Sequence, residues 1–172
     1  MMNRRQFLRA GGTWVAGNLV FPLGEVWASP RKTFYEDSEQ VLLARMIFGE
    51  GRGVSYSEKV AIGLTPLNRV SDNKRYTGRN IKEAILLPLQ YSCFNQNDKN
   101  FEIIKEPFIY EPKKWVECLG ISRKILDGRY NQYNFGQTHF HKKGVNPLPD
   151  WASNMKERLD STGFAHQFYV EG

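Results

Sequence analysis

The sequence is short of several things, and each shortage removes a class of function. Cysteine occurs only as Cys93 and Cys118, too few to frame a disulfide scaffold, and neither stands at a recognisable zinc spacing. Histidine occurs three times, at His139, His141 and His166, whereas a zinc site takes at least three protein ligands. No run of Lys and Arg is strong enough to mark a nucleic-acid surface. No apolar stretch reaches the roughly 20 residues of a membrane span. The best candidate, from Ala10 to Gly24, is broken by Gly11-Gly12, Gly17-Asn18 and Pro22. Internal repeats and low-complexity tracts are absent as well.

What remains is the composition of one globular domain. The 172 residues are 41% hydrophobic and 24% charged, enough for a real core and too few for two substantial domains. Aromatics reach 13% and crowd the second half among Asn, Gln and His. That mixture suits a sugar, because aromatic faces pack on pyranose rings while amides and imidazoles reach the hydroxyls; an ordinary aromatic core has the same composition. The net charge is +6, and +4 without Arg4, Arg5, Arg9 and Glu25 of the first 28 residues. This surplus favours an anionic polymer without naming it.

Residues 1–28 read as an address label. Paired Arg4 and Arg5 precede Phe7 and Leu8, a mildly apolar stretch follows, and Val26-Trp27-Ala28 has the small-residue character of a cleavage site. The pattern resembles a twin-arginine export signal, with an N-terminus that stays attached to a membrane as the alternative. The catalytic or binding domain is then expected over 29–172.

The stretch from Leu42 to Gly53 organises that domain. Seven of the eight residues from Val41 to Phe48 are apolar, Arg45 being the exception, so the helix they predict is surrounded by core. Glu50 stands at its end, with Met46 and Ile47 one turn back. A carboxyl held against apolar surface raises its pKa, as a general acid working near neutral pH requires. Gly49, Gly51 and Gly53 keep side chains away and would let a ligand approach the backbone. The competing reading makes Glu50 only the polar end of a buried helix and the glycines its stop.

Around this helix the pattern predicts others. Asp37 with Gln40 forms a capping box for a helix over Val41 to Gly49, and Ser55 with Glu58 forms a second. That second helix carries Pro66 inside its pattern, which predicts a kink. Asn80 with Glu83 opens a short helix that Pro88 ends, and Leu89 to Asp98 reads as a loop or short strand. Lys114 to Leu126 predicts another helix, with Trp115, Leu119, Ser122 and Leu126 on one face. In an alternating strand over Gly136 to His141, His139 and His141 share a side. Phe164 to Val170 gives a last strand, in which His166 is expected to be a structural hydrogen-bonding group. Cys93 and Cys118 could pair if the chain is exported.

Several of these blocks resemble the SleB-type cell wall hydrolases. They are Leu42 to Gly53; Val60-Ala61 with Leu67 to Val70; Gln90 to Asn95; Thr138 to His141; and His166 to Tyr169. The blocks keep the family's order and cover roughly residues 38 to 170. Two departures stand out: Pro66 interrupts a helix, and Val145 to Trp151 is longer than the usual Val-x-Pro-x-Trp.

The resemblance implies a single lysozyme-like α+β domain, a mainly helical lobe plus a small antiparallel sheet, that cuts the glycan strand of peptidoglycan with Glu50 as catalytic acid. On that view Tyr91, Ser92 and Asn95 line the groove, His139 and His141 stand near the reacting sugar, and Asn68 and Arg69 are supports. No second Asp or Glu lies inside a matched block beside Glu50, which favours a lytic transglycosylase over a muramidase-type hydrolase; Glu58, Asp72 and Asp98 are second carboxylates only by elimination. No cofactor or metal is expected, the partner is peptidoglycan rather than nucleic acid, and the setting is the periplasm or wall of a bacterium. Two rivals remain at this point: a zinc amidase or peptidase using His139 and His141, and a non-catalytic wall-binding protein.

Overall fold

The computed structural model describes residues 14–16, 19–21, 34–72, 77–157 and 160–171. The chain divides into two compact units, Met1–Glu36 and Asp37–Gly172. In the first, β1 (Trp14–Ala16) and β2 (Leu19–Phe21) pair antiparallel, with Trp14 opposite Phe21. The paired arginines and the Val26-Trp27-Ala28 site of the expected export signal lie outside the described residues.

The second unit is α+β. Its central helix α1 (Glu39–Gly51) buries Leu42, Leu43, Ala44, Met46, Ile47 and Phe48, which is why its sequence is apolar nearly all round. It packs against α2 (Tyr56–Ser71), α3 (Ile81–Leu86), α4 (Phe101–Lys105) and α6 (Pro112–Leu126), while α5 (Pro107–Tyr110) leads into α6. Phe48 meets Trp115 of α6 edge-to-face at 6.1 Å between ring centres. Arg45, the one charge in the apolar run, reaches out of the core to Asp37 at 2.7 Å and to the Lys105 carbonyl at 2.9 Å.

The capping chemistry differs from expectation at one helix. Ser38, not Asp37, caps α1 by accepting from the Val41 N–H, because Asp37 is taken by Arg45. Ser55 and Asn80 cap α2 and α3 as their sequences predict. In the third box Glu83 reaches back to the Arg79 N–H at 2.9 Å, whereas Glu58 of the second turns away from its own helix. Pro66 sits inside α2, which runs through it without a break in the helix. On α6 the buried stripe is Trp115, Cys118, Ile121, Ser122 and Ile125 rather than one through Leu119 and Leu126, a rotation set by which face meets α1 and α2.

A small sheet completes the unit. β3 (His139–Lys142), β5 (His166–Val170) and β4 (Lys156–Glu157) are antiparallel in the order β3-β5-β4, with His139 opposite Tyr169 and Phe140 opposite Phe168. The sheet is anchored to α2 by two neighbouring residues. Asn68 donates to the Gln137 carbonyl at 2.8 Å, and buried Arg69 donates to the Thr138 carbonyl at 2.6 Å and to Gln90 at 2.8 Å. Both are supports, in line with their sequence reading. Among the described residues, no helix is long and apolar enough to cross a membrane.

Candidate active site

Glu50 lies in the last turn of α1, where the helix delivers it from the apolar core towards the 3-10 turn Ser92–Phe94. Met46 and Ile47, one turn back, are fully buried. The Glu50 Oε1 accepts from the Cys93 N–H at 2.9 Å and from the Ser92 hydroxyl at 3.3 Å. Both donors converge on Oε1, and the Cys93 side chain also hydrogen-bonds the carboxyl. Burial raises the Glu50 pKa above the ordinary carboxylate range, and the negative charge of Asp98 pushes the same way. The donors from Cys93 and Ser92 oppose this without reversing it. The result is a carboxyl that keeps its proton to higher pH than a solvated glutamate.

The glycines around Glu50 serve packing more than ligand approach. A Cβ on Gly49 would lie 2.5 Å from the Cys93 Cβ, and one on Gly51 would lie 2.7 Å from Ile62 Cδ1. Protein, not ligand, fills both spaces. Gly53 alone of the three opens onto free space.

Of the other residues singled out from the sequence, Ser92 is brought directly to Glu50 and is exposed, and Asn95 follows as the residue that closes the same 3-10 turn. Tyr91 is 2% exposed, which corrects its expected place on the groove wall. Its hydroxyl donates to Thr65 at 3.0 Å, because Thr65 itself donates to the Ile62 carbonyl. The Arg69 guanidinium covers its ring at 4.9 Å. Tyr91 therefore braces the turn carrying Ser92 and Cys93 from within the core, and burial raises the pKa of its phenol.

His139 and His141 do share a face of β3, as alternation predicts. Trp151 packs on both, at 5.1 Å and 6.0 Å between ring centres, and His141 stacks on Tyr169 at 5.4 Å. His139 is buried, with Nδ1 2.9 Å from the Thr138 hydroxyl, so it supports this aromatic face rather than presenting itself to solvent. His141 is half-buried and places Nε2 2.9 Å from the Tyr169 hydroxyl and Nδ1 2.8 Å from the Lys142 carbonyl. His166 is on the opposite face and is structural. Among the described residues, no group of three or more His, Cys, Asp and Glu side chains is arranged to hold a metal ion.

The three spare carboxylates separate clearly. Buried Glu58 accepts from the N–H groups of Ala165 and His166 at 3.1 Å and 2.8 Å and from His166 Nδ1 at 2.7 Å, so it binds β5 to α2. Asp72 stands at the far end of α2 as its C-cap. Asp98 accepts from the Asn100 N–H at 2.8 Å, and its negative charge acts on Glu50. Its importance was not visible in a polar loop with no helical period. Nor was that of Trp151, whose only signal was the Val145 to Trp151 stretch. Cys93 and Cys118 are both buried free thiols.

No curated protein and no solved structure is matched by the chain. The sequence model of a family described as cell wall hydrolase matches residues 53–169, a stretch that contains Tyr91, Ser92, Asn95, His139 and His141 and begins three residues after Glu50. With most of its length inside that match, the chain belongs to the cell wall hydrolase family, whose members act on peptidoglycan.

Proposed function

We propose that this protein cuts the β-1,4 bond between N-acetylmuramic acid and N-acetylglucosamine in peptidoglycan, as a lytic transglycosylase. The observation that carries the proposal is the Glu50 carboxyl, half-buried at the end of an apolar helix, with its pKa raised and the Ser92 hydroxyl and Cys93 N–H both on Oε1. The Glu50 carboxyl donates its proton to the glycosidic oxygen as the bond to the anomeric carbon breaks. The Glu50 carboxylate so formed then takes the proton of the C6 hydroxyl on the same muramic acid, whose oxygen attacks the anomeric carbon and closes a 1,6-anhydro ring. Proton and electron pairs balance without a water or a second carboxylate. Ser92 and the Cys93 N–H hold the carboxyl in place through both steps, and Asn95 and the His141 face bind sugar beyond it.

A hydrolytic reading has one observation in its favour, the charge of Asp98 acting on Glu50. In that reading Asp98 activates water or attacks the anomeric carbon, with a carboxyl separation of about 5 to 5.5 Å for retention or about 6.5 to 9.5 Å for inversion. We place the chemistry in the domain over 29–172 and assign residues 1–28 to export, on the strength of the paired arginines.

Mass spectrometry of the soluble products from purified peptidoglycan tests the reaction. Muropeptides one water lighter and lacking a reducing end establish the transglycosylase. Reducing ends overturn it in favour of hydrolysis, and free peptides with intact glycan would move the chemistry to an amide bond.

A further inference from the structure

A cluster of tyrosines outside the candidate active site has no role in the chemistry above. Tyr56, the first residue of α2, and Tyr130 share a hydrogen bond between their hydroxyls, and their rings meet edge-to-face at 6.4 Å. Tyr133 packs on Tyr130 at 5.9 Å. Tyr56, Tyr133 and the neighbouring Phe135 are each more than 40% exposed, although aromatic rings of this size are normally covered when only packing is at stake.

The cluster is built on a fixed base. Gln137, fully buried, accepts from the Phe135 N–H at 2.9 Å and donates to the carbonyls of Tyr133 and Ala61 at 3.4 Å, which ties the segment to α2. The rings are therefore presented, not loosely displayed. Exposed Asn131, Gln132 and Asn134 interleave with them and supply amide donors and acceptors. Charge points the same way. Lys124 donates to the Tyr56 hydroxyl at 3.4 Å, with its ammonium 6.0 Å from that ring; Arg123, next to it in sequence, is exposed, and the Asp127 carboxylate lies 3.8 Å from Arg129. Burial, then the hydrogen bond with Tyr56, push the Tyr130 phenol up to about 12.

We infer that Tyr56, Tyr130 and Tyr133 form a second glycan-binding site, which takes pyranose rings of the peptidoglycan strand on the tyrosine faces and the carboxylates of its stem peptides on Lys124 and Arg123. Flat aromatic faces alternating with amides match the alternating C–H faces and hydroxyl edges of a polysaccharide, and the cations match its negative charge. The position fits one continuous polymer. Only Arg52 to Ser55 separate the end of α1 from Tyr56, so the Tyr56 backbone lies within about 21 Å of that of Glu50. A strand held by the tyrosines is thereby kept at the catalytic carboxyl between cuts.

The inference rests on peptidoglycan being the substrate, and the test separates the two. In a Glu50→Gln background, which binds without cutting, retention on insoluble peptidoglycan is measured for Tyr56→Ala and Tyr133→Ala and for the corresponding Phe variants. Each Ala variant is expected to lose affinity roughly fivefold to tenfold, and the Phe variants, which keep the ring face, to lose little. As a measurement free of folding effects, nitration of Tyr133 in the otherwise unaltered Glu50→Gln protein should be slowed by soluble glycan fragments. Full retention by the Ala variants, or nitration unaffected by glycan, overturns the second site while leaving the proposed reaction intact if the wild-type chain still releases muropeptides. A parent that neither binds nor cuts peptidoglycan overturns both.

Discussion

Gly49 and Cys93 touch so closely that any side chain on the first would occupy the space of the second: a Cβ there would sit 2.5 Å from the Cys93 Cβ and 2.7 Å from its Sγ. This contact is what lets the 3-10 turn lie against α1 with its Cys93 N–H on Glu50. Gly49→Ala should therefore be doubly harmful, costing about 1–3 kcal/mol in a urea titration through overpacking. It should also lower turnover in the fraction that stays folded, because the turn must move off the carboxyl. A variant with unchanged stability would mean that the turn is free to shift.

Glu50→Gln keeps the shape and removes the proton. Turnover on peptidoglycan should fall by roughly 10²-fold to 10⁴-fold, the usual contribution of a positioned general acid, with circular dichroism unchanged. Wild-type turnover in this variant would end the assignment of Glu50.

The same substitution has a signed effect on stability against pH. Because burial raises the Glu50 pKa in the folded state, its contribution is fully present below the unfolded pKa and is lost as pH rises through the folded one. Glutamine has no such loss. Melting temperatures followed from acid to alkaline pH should show Glu50→Gln gaining on the parent as pH rises, and parallel curves would mean that the carboxyl is not buried in solution.

Asp98→Asn separates the two chemistries. Asp98 raises the Glu50 pKa, so its neutralisation should shift the alkaline limb of the pH–rate profile to lower pH while leaving 1,6-anhydro products. Loss of all activity at every pH would instead make Asp98 the second carboxylate of a hydrolase.

Arg69 is the buried joint between helices and sheet. Arg69→Met removes the donor from the Thr138 carbonyl and from Gln90 and uncovers Tyr91. Each buried polar group left unpaired costs about 1–3 kcal/mol, so a stability loss of several kcal/mol is expected by denaturant titration. Glu58→Gln should also destabilise, because one amide end must face an N–H of the β5 strand where a carboxylate oxygen accepted.

What the sequence determined by itself is everything that acts within a few residues. The apolar run of α1, the caps Ser55 and Asn80, the shared face of His139 and His141 and the place of Glu50 at a helix end all follow from periodicity and local hydrogen bonding. Tertiary structure decided the partners of the polar groups. Asp37 left its capping position for Arg45, Glu58 joined the backbone of His166 across 108 residues, and the Cys93 N–H met Glu50 across 43. It also turned Tyr91 inward, exposed Tyr56 and Tyr133, and gave Asp98 its influence on the acid. The reason is physical: a solvated polar side chain has water as an equal partner, and only burial, which comes from packing distant segments together, makes one protein partner worth more than the rest.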